Sequence, residues 1–285
     1  MFRKFLIITL LALTASGINS QDKGKDKWKF HIWEEDYFYK SRPTIDITYG
    51  ISKVSLQNSS LNFTDAGLIE VKLGYTYLQK SHYSKKISKF TSNFFIGSYI
   101  SSKINTKNNP ADDKTWRFGM GNSNGYGYML GKKSSLVLYN SNSMTWTRFD
   151  NGITKDVTPE NFSRIDDYNQ SVRFGTTTEA GIIIPIAGFV NLQAQYDRTL
   201  VFPRHMFWKH LGSVAIEMLG QGAIDEFVKA IMKSSPMAGP VINFVLKNAL
   251  SYGMYELRRE KMNWPFNTAE PLLFDSFKAG FTFTF

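Results

Sequence analysis

The sequence predicts an all-β fold, an antiparallel up-and-down β-barrel of about 8 strands, or of 10–12, that crosses a membrane with those strands. Three observations predict it. Apolar and polar residues alternate in several segments, the connections between those segments are alternately long and short, and the final segment alternates up to the last residue. One region before that segment departs from the pattern and predicts an α-helical insertion.

Eight segments have the period of two that is typical of strands with two different faces. In the first, Ile45, Ile47 and Tyr49 alternate with Asp46 and Thr48. The segments cover residues 45–52, 69–77, 94–100, 122–130, 135–149, 171–184, 189–200 and 277–285. In the fifth, we expect a bulge at Asn140 to Ser143 that shifts the register of the residues after it.

The connections test the strand assignment independently, because membrane barrels have short turns at one end and long loops at the other. The first, third and fifth connections are long and polar, at 57–65, 103–116 and 150–169. The fourth and sixth are short, at 131–134 and 185–188, and the second, at 80–89, is intermediate. This alternation predicts that both chain ends lie on the side of the short turns.

The insertion, residues 203–271, has apolar spacings of three and four that predict helices, with a break at Pro236 to Pro240. Three placements of these helices are open at this point. They could plug the lumen, cap the rim of the barrel or lie on the membrane surface.

The chain ends and the composition limit the class of protein. Residues 1–20 have the charged start, short apolar run and small-residue exit of a signal peptide. We expect residues 21–42 to be a mobile segment and 43–285 to form the barrel. The sequence has no cysteine, which excludes disulfides, thiolate metal sites and cysteine nucleophiles. The net charge is +10. For an exported chain this favours anionic lipid or lipopolysaccharide over nucleic acid as a partner, although lysines scattered in loops for solubility explain the charge better.

The polar faces of the predicted strands are rich in Thr, Gly and Ser, which suits a lumen better than the charged exterior of a water-soluble sandwich. Aromatic residues near strand ends are expected to form girdles at the membrane interfaces. This set comprises Tyr75, Tyr77, Tyr126, Tyr128, Trp146, Phe149 and Tyr196.

The final segment, Phe277-x-Ala279-x-Phe281-x-Phe283-x-Phe285, ends the chain on an aromatic residue. It resembles the C-terminal strand of Gram-negative outer-membrane β-barrel proteins, with no motif that identifies a subfamily. The resemblance implies that Phe277, Phe281, Phe283 and Phe285 form an assembly signal engaged by the barrel-insertion machinery. It also implies location in the cell outer membrane, with lipid and lipopolysaccharide as partners.

Chemistry-bearing residues are sparse. His205 and His210 are five residues apart, whereas two metal ligands on one helical face are four apart, so we expect no metal site. We expect no cofactor and no catalytic residues either. Arg258, Arg259 and Lys261 form the densest basic cluster and could contact an anion, although cations that stabilise the end of a helix are the favoured explanation.

These observations favour a porin-like, non-enzymatic barrel of the cell envelope that acts in envelope structure, surface binding or restricted solute passage. An eight-stranded lumen is normally filled by side chains, which argues against free diffusion. One alternative is an outer-membrane lipid-modifying hydrolase, although the chain has no Gly-x-Ser-x-Gly motif. A second alternative is a soluble periplasmic or secreted β protein that binds an apolar ligand.

Overall fold

The computed structural model describes residues 41–59, 63, 65–105, 114–130, 134–150 and 159–285. The expected signal peptide lies outside the described residues, as does the expected mobile segment up to residue 40. The first strand begins at Arg42.

Eight antiparallel strands form a closed barrel in which each strand pairs with the next and the last pairs with the first. The predicted fold class and strand number are therefore confirmed. The strands are β1 (Arg42–Leu56), β2 (Ala66–Lys80), β3 (Ile87–Ser101), β4 (Lys114–Met129), β5 (Ser135–Asp150), β6 (Val172–Ala187), β7 (Val190–Val201) and β8 (Leu272–Thr284).

The pairing of β1 with β8 closes the barrel. Ile47 lies opposite Phe281 and Tyr49 lies opposite Ala279 in a continuous antiparallel register. The backbone N–H of Phe285 donates to the carbonyl of Pro43 at 3.0 Å, so the last residue is also tied to the start of β1. Closure leaves no strand edge unpaired, which is a requirement for a sheet in lipid.

Long and short connections alternate as predicted. We call the end with the connections after β1, β3, β5 and β7 the long-loop end, and the other the short-turn end. The turn between β6 and β7 is shorter than predicted, because β6 continues to Ala187 through an irregularity after Pro185. Gly188 adopts a positive φ of 54° in this turn, a conformation that favours glycine.

β4 begins at Lys114, eight residues earlier than the predicted segment, which began at 122. Trp116, Phe118 and Met120 continue its outward face, and the glycines on either side of Met120 weaken the apparent strand pattern.

The predicted bulge at Asn140 to Ser143 is wrong, because the pairing of β5 with both neighbours continues through these residues without a shift. Phe149 consequently faces the lumen, where it is 1 % exposed, and does not join an interfacial girdle. Asn140 keeps the outward orientation that alternation dictates.

The two faces of the barrel are polarised in the sense expected for lipid. Ile47, Leu73 and Phe95 point outward and are 48 %, 52 % and 67 % exposed, whereas Lys72, Glu179 and Lys278 point inward and are buried. A water-soluble barrel has the reverse distribution, with polar residues outside. The outer face thus matches a barrel surrounded by lipid.

Within the described ranges, four helices accompany the strands: α1 (Ser102–Asn105), α2 (Pro159–Asp166), α3 (Phe207–Ser234) and α4 (Gly239–Glu260). A 3₁₀ turn at Pro236–Ala238 joins α3 to α4, and both precede β8, as the sequence predicts. None of the described helices combines the length and the apolar character needed to cross a membrane.

Candidate functional site

The centre of the lumen holds a buried ion-pair network. Lys278 Nζ lies 2.6 Å from both Glu70 Oε1 and Asp197 Oδ2. Lys72 Nζ lies 2.8 Å from Glu179 Oε2, which is also 3.3 Å from Lys278 Nζ. All five side chains are at most 4 % exposed, so each charge depends on the others for its stabilisation.

Hydrogen bonds extend this network across the barrel. Tyr139 Oη donates to Glu179 Oε1 at 2.9 Å and accepts from Gln193 Nε2 at 3.0 Å. Gly181, on the neighbouring strand, leaves room for the Tyr139 ring, since a Cβ at this position would overlap the ring atoms. The lumen centre is therefore filled by side chains that hold one another in place.

An apolar layer fills the lumen toward the long-loop end. It combines inward residues of the strands with Ile165 and Tyr168 from α2 and the residues after it. Its strand members are Val54, Leu56, Ala66, Leu68, Ile100, Phe149, Val201, Leu272 and Phe274. This layer closes the long-loop end of the described barrel above the ion-pair network.

Polar contacts fasten α2 over this layer. Arg164 Nη2 lies 2.5 Å from Glu270 Oε2 and 2.8 Å from the Gln57 carbonyl. Tyr168 Oη donates to the Glu270 carbonyl at 3.1 Å. Burial raises the pKa of the Tyr168 phenol, so the hydroxyl stays protonated and keeps this donor at ordinary pH.

Arg117 is a buried cation that packs against the apolar layer. Its guanidinium stacks over the ring of Phe274, 4.9 Å from the ring centroid, and the side chain is 2 % exposed. Toward the short-turn end, a small polar cavity remains, lined by residues that include Thr44, Asp46, Thr76 and Ser92.

Helices α3 and α4, which we call the wall hairpin (residues 207–260), lie against the outer face of the barrel. Tyr139 and Ser141 face the lumen, so Asn140 between them faces outward, and its Nδ2 donates to Asn248 Oδ1 of α4 at 2.8 Å. Tyr255 Oη of α4 donates to outward-facing Asp275 of β8 at 2.9 Å. The hairpin therefore neither plugs the lumen nor caps the rim.

Polar side chains join the two helices of the wall hairpin to each other. Arg258 Nη1 lies 2.5 Å from Glu217 Oε2, and Arg258 Nε donates to Ser213 Oγ at 3.0 Å. Lys247 Nζ lies 2.7 Å from Asp225 Oδ1. These pairs take up charges at the interface between α3 and α4.

The three predicted anion contacts have different surroundings. Arg258 is buried within the wall hairpin, where Glu217 and Ser213 occupy its guanidinium. Arg259 Nη1 pairs with Glu256 at 2.8 Å and its Nη2 donates to Gln57 Oε1 at 3.0 Å. Lys261 is exposed beyond the end of α4. The three cations therefore do not converge on a common anion site in the structure.

The four residues of the predicted assembly signal lie on the outward face of β8 and at the chain end. Phe277 and Phe281 are exposed on the outer wall. Phe189 packs against the other two, with ring centroids 6.3 Å from Phe283 and 5.7 Å from Phe285.

His205 and His210 have ring centroids 5.6 Å apart, and both pack on the ring of Phe174. In the part of the chain that the structure describes, no group of three metal-ligating side chains comes together.

Sequence reasoning missed the ion-pair network, although a signal for it was present. Lys72, Glu179 and Lys278 each occupy a polar position of an alternating strand, where Thr, Ser or Gly is the common choice. Opposite charges at inward positions of several strands suggest a shared lumen, since unpaired charges there would be costly.

Replacement of Lys278 by Met is expected to lower the free energy of unfolding by about 3–5 kcal/mol, because it leaves buried Asp197 without its ion-pair partner and removes the shorter ion pair of Glu70. The matched control is Lys53→Met, at an exposed position of β1. Unfolding by urea in lipid vesicles, followed by tryptophan fluorescence, measures both. Equal midpoints for the two variants would contradict a stabilising role for the network.

Replacement of Gly181 by Ala is expected to cost about 1–3 kcal/mol, because the added methyl group displaces the Tyr139 ring from its partners. Gly97→Ala is the control, since a Cβ at Gly97 meets no atom within 4 Å. The measurement is the temperature at which folded protein loses its faster migration on a semi-native gel. A similar temperature for both variants would show that the Tyr139 ring is not held tightly.

The chain matches no family model, and no curated protein matches it either. Among solved structures, it is similar to Neisserial surface protein A (NspA), at 11 % sequence identity and a TM-score of 0.40. The match covers 85 % of this chain and 97 % of that chain.

Proposed function

We propose that the protein is a closed, non-enzymatic β-barrel of a Gram-negative outer membrane that acts in envelope structure or surface binding. The observation that carries the proposal is the polarity of the barrel, with apolar residues outside and a charged, filled lumen inside. On this proposal, residues 1–20 direct export, and lipid and lipopolysaccharide surround the outer wall.

The dimensions of the strands support a membrane location. β1, β2 and β3 each have 15 residues. At about 3.3 Å per residue and a tilt of about 45°, such strands span about 35 Å, enough to cross a hydrocarbon core of about 30 Å.

The filling of the lumen favours structure or binding over restricted solute passage. The apolar layer and the ion-pair network occupy the barrel from the long-loop end to its centre. A porin-like path would have to displace Lys278 and its carboxylates, which are paired within the lumen. Function is therefore better assigned to the outer surfaces than to the lumen.

The two alternatives have less support. A water-soluble protein would leave Leu73, Phe95 and Phe277 exposed to water on one continuous outer face. A lipid hydrolase needs a histidine poised beside a serine. Of the described histidines, His205 and His210 pack against the Phe174 ring, and His82 is exposed after β2.

Planar-bilayer recording tests the closed lumen. Because the lumen centre is filled, the reconstituted wild-type protein is expected to give no discrete conductance steps. A bacterial porin inserted in the same way is the positive control, and faster gel migration before heating verifies that the barrel is folded. Reproducible steps that need the folded protein would contradict the proposal and favour solute passage.

Replacement of Phe285 by Ala tests the proposed assembly signal. We expect a several-fold lower amount of folded protein in the outer membrane, because the insertion machinery would lose its terminal aromatic contact. Phe95→Ala is the control, since Phe95 is 67 % exposed on β3, outside the signal. Quantitative immunoblots of outer-membrane fractions give the comparison. Equal amounts of the two variants would remove the proposed role of Phe285.

A further inference from the structure

We infer that the wall hairpin forms part of the membrane-embedded perimeter, and that the acyl chains of outer-membrane lipid contact its exposed face. The inference rests on the proposed membrane location of the barrel. It assigns a lipid-binding surface to helices rather than to strands.

The wall hairpin extends over the height of the barrel wall. At the short-turn end, Tyr128 Oη donates to the Met237 carbonyl at 2.8 Å, in the turn between the two helices. At the long-loop end, Arg259 of α4 donates to Gln57, which follows β1. The 22 residues of α4 measure about 33 Å, close to the thickness of a hydrocarbon core. Between these ends, the hairpin therefore lies at the level of the acyl chains.

The wall beneath the hairpin combines apolar residues, which pack with the hairpin in two clusters, and polar residues. Outward-facing Asn140 hydrogen-bonds to Asn248, and outward-facing Asp275 accepts from Tyr255. The guanidinium of Arg198 lies 4.0 Å from the ring centroid of Tyr252. Such side chains would be costly in direct contact with hydrocarbon, and the hairpin supplies their partners instead.

The hairpin differs from a helix pair in water, because half of its buried residues are polar while the exposed residues along most of its length are apolar. The buried polar residues are His210, Ser213, Glu217, Asn243, Ser251 and Arg258, and the others are Val228, Met232, Gly239, Pro240, Met254 and Tyr255. A surface helix in water buries its apolar stripe and exposes its polar one. Buried polar residues combined with an exposed apolar side indicate that the exposed side of this hairpin faces an apolar solvent.

The exposed side is apolar over a length that fits a membrane. In α3, the exposed residues from 208 to 223 are Trp208, Leu211, Ala215, Ile216, Met218, Leu219 and Ala223. In α4, the exposed residues from 241 to 257 are Val241, Val245, Ala249, Tyr252 and Leu257. Each stretch measures about 25 Å along its helix.

Exposed charges lie beyond these stretches. Glu226 and Lys233 are exposed toward the short-turn end, and Glu260 and Lys261 toward the long-loop end. This distribution places charged side chains at the two head-group levels and apolar ones between them.

The exposed face of the hairpin also continues an apolar surface that already exists. Leu73 on β2, Phe95 on β3 and Phe277 on β8 make the uncovered part of the wall apolar. With the hairpin in place, apolar residues occupy the perimeter on the covered side as well. Lipid covers such a perimeter completely, whereas a second copy of the chain would cover one side, so lipid is the occupant that the structure favours.

Single cysteines test the inference directly, because the chain has none of its own. We choose Leu219→Cys on α3 and Val245→Cys on α4, whose native side chains are 76 % and 54 % exposed. Leu73→Cys on β2 is the lipid reference, and Lys261→Cys is the water reference. Each full-length variant is folded into vesicles of outer-membrane lipid and assayed for faster gel migration before labelling.

Two readouts are compared in these vesicles. A water-soluble maleimide is expected to label Leu219→Cys and Val245→Cys at least about tenfold more slowly than Lys261→Cys, since burial in hydrocarbon excludes water. A nitroxide attached under denaturing conditions before folding is expected to be relaxed by oxygen more than by a polar nickel complex at both sites, as at Leu73→Cys.

Three results would overturn the inference. Fast labelling of Leu219→Cys and Val245→Cys with Leu73→Cys still protected would place the hairpin in water while the barrel remains in lipid. Dipolar broadening between nitroxides of two chains at Leu219→Cys would show that a second copy covers the face. Fast labelling of Leu73→Cys as well would contradict the proposed membrane location itself.

Discussion

The pairing of β1 with β8 is the constraint on which the rest of the structure depends. In a hydrocarbon environment, every backbone N–H and carbonyl must find a partner within the protein. A sheet meets this requirement by closing on itself, and the continuous register from Thr44 opposite Thr284 to Leu56 opposite Leu272 does so here. Once the sheet is closed, alternation sends half of the side chains into a narrow lumen and half toward the surroundings.

The first consequence of closure is that half of the side chains, including charged ones, point into a narrow lumen. Charged side chains that point inward have little access to water, so they must neutralise one another. Lys72 and Lys278 do this with Glu70, Glu179 and Asp197, while the long-loop end is filled by apolar residues under α2. The side chains that fill the lumen stabilise the barrel and also remove the space that a solute would need, which leaves the outer surfaces of the barrel for function.

The second consequence of closure is that the other half of the side chains face the surroundings of the barrel, and the wall hairpin covers those that do not suit lipid. Where the outward face carries Asn140, Arg198 and Asp275, the strands alone do not present a surface that suits lipid. The helices cover that part of the wall, accept or donate the required hydrogen bonds and turn their own apolar side chains outward. One physical rule, polar groups inward and apolar groups outward, thus applies to the barrel and to the layer added to it.

The sequence by itself determined the fold class, the number of strands and the helical insertion, because a period of two and a change to spacings of three and four are local properties. The prediction of a bulge near Asn140 was wrong because it used local pattern alone. Asn140 is polar on an outward face since its partner is α4, which lies about a hundred residues away in the chain. The sequence pattern also did not predict the pairing of Lys278 with Glu70, which are separated by 208 residues. Only the tertiary structure decided which charges meet and on which side of the wall the helices lie, since both follow from long-range packing that no local pattern encodes.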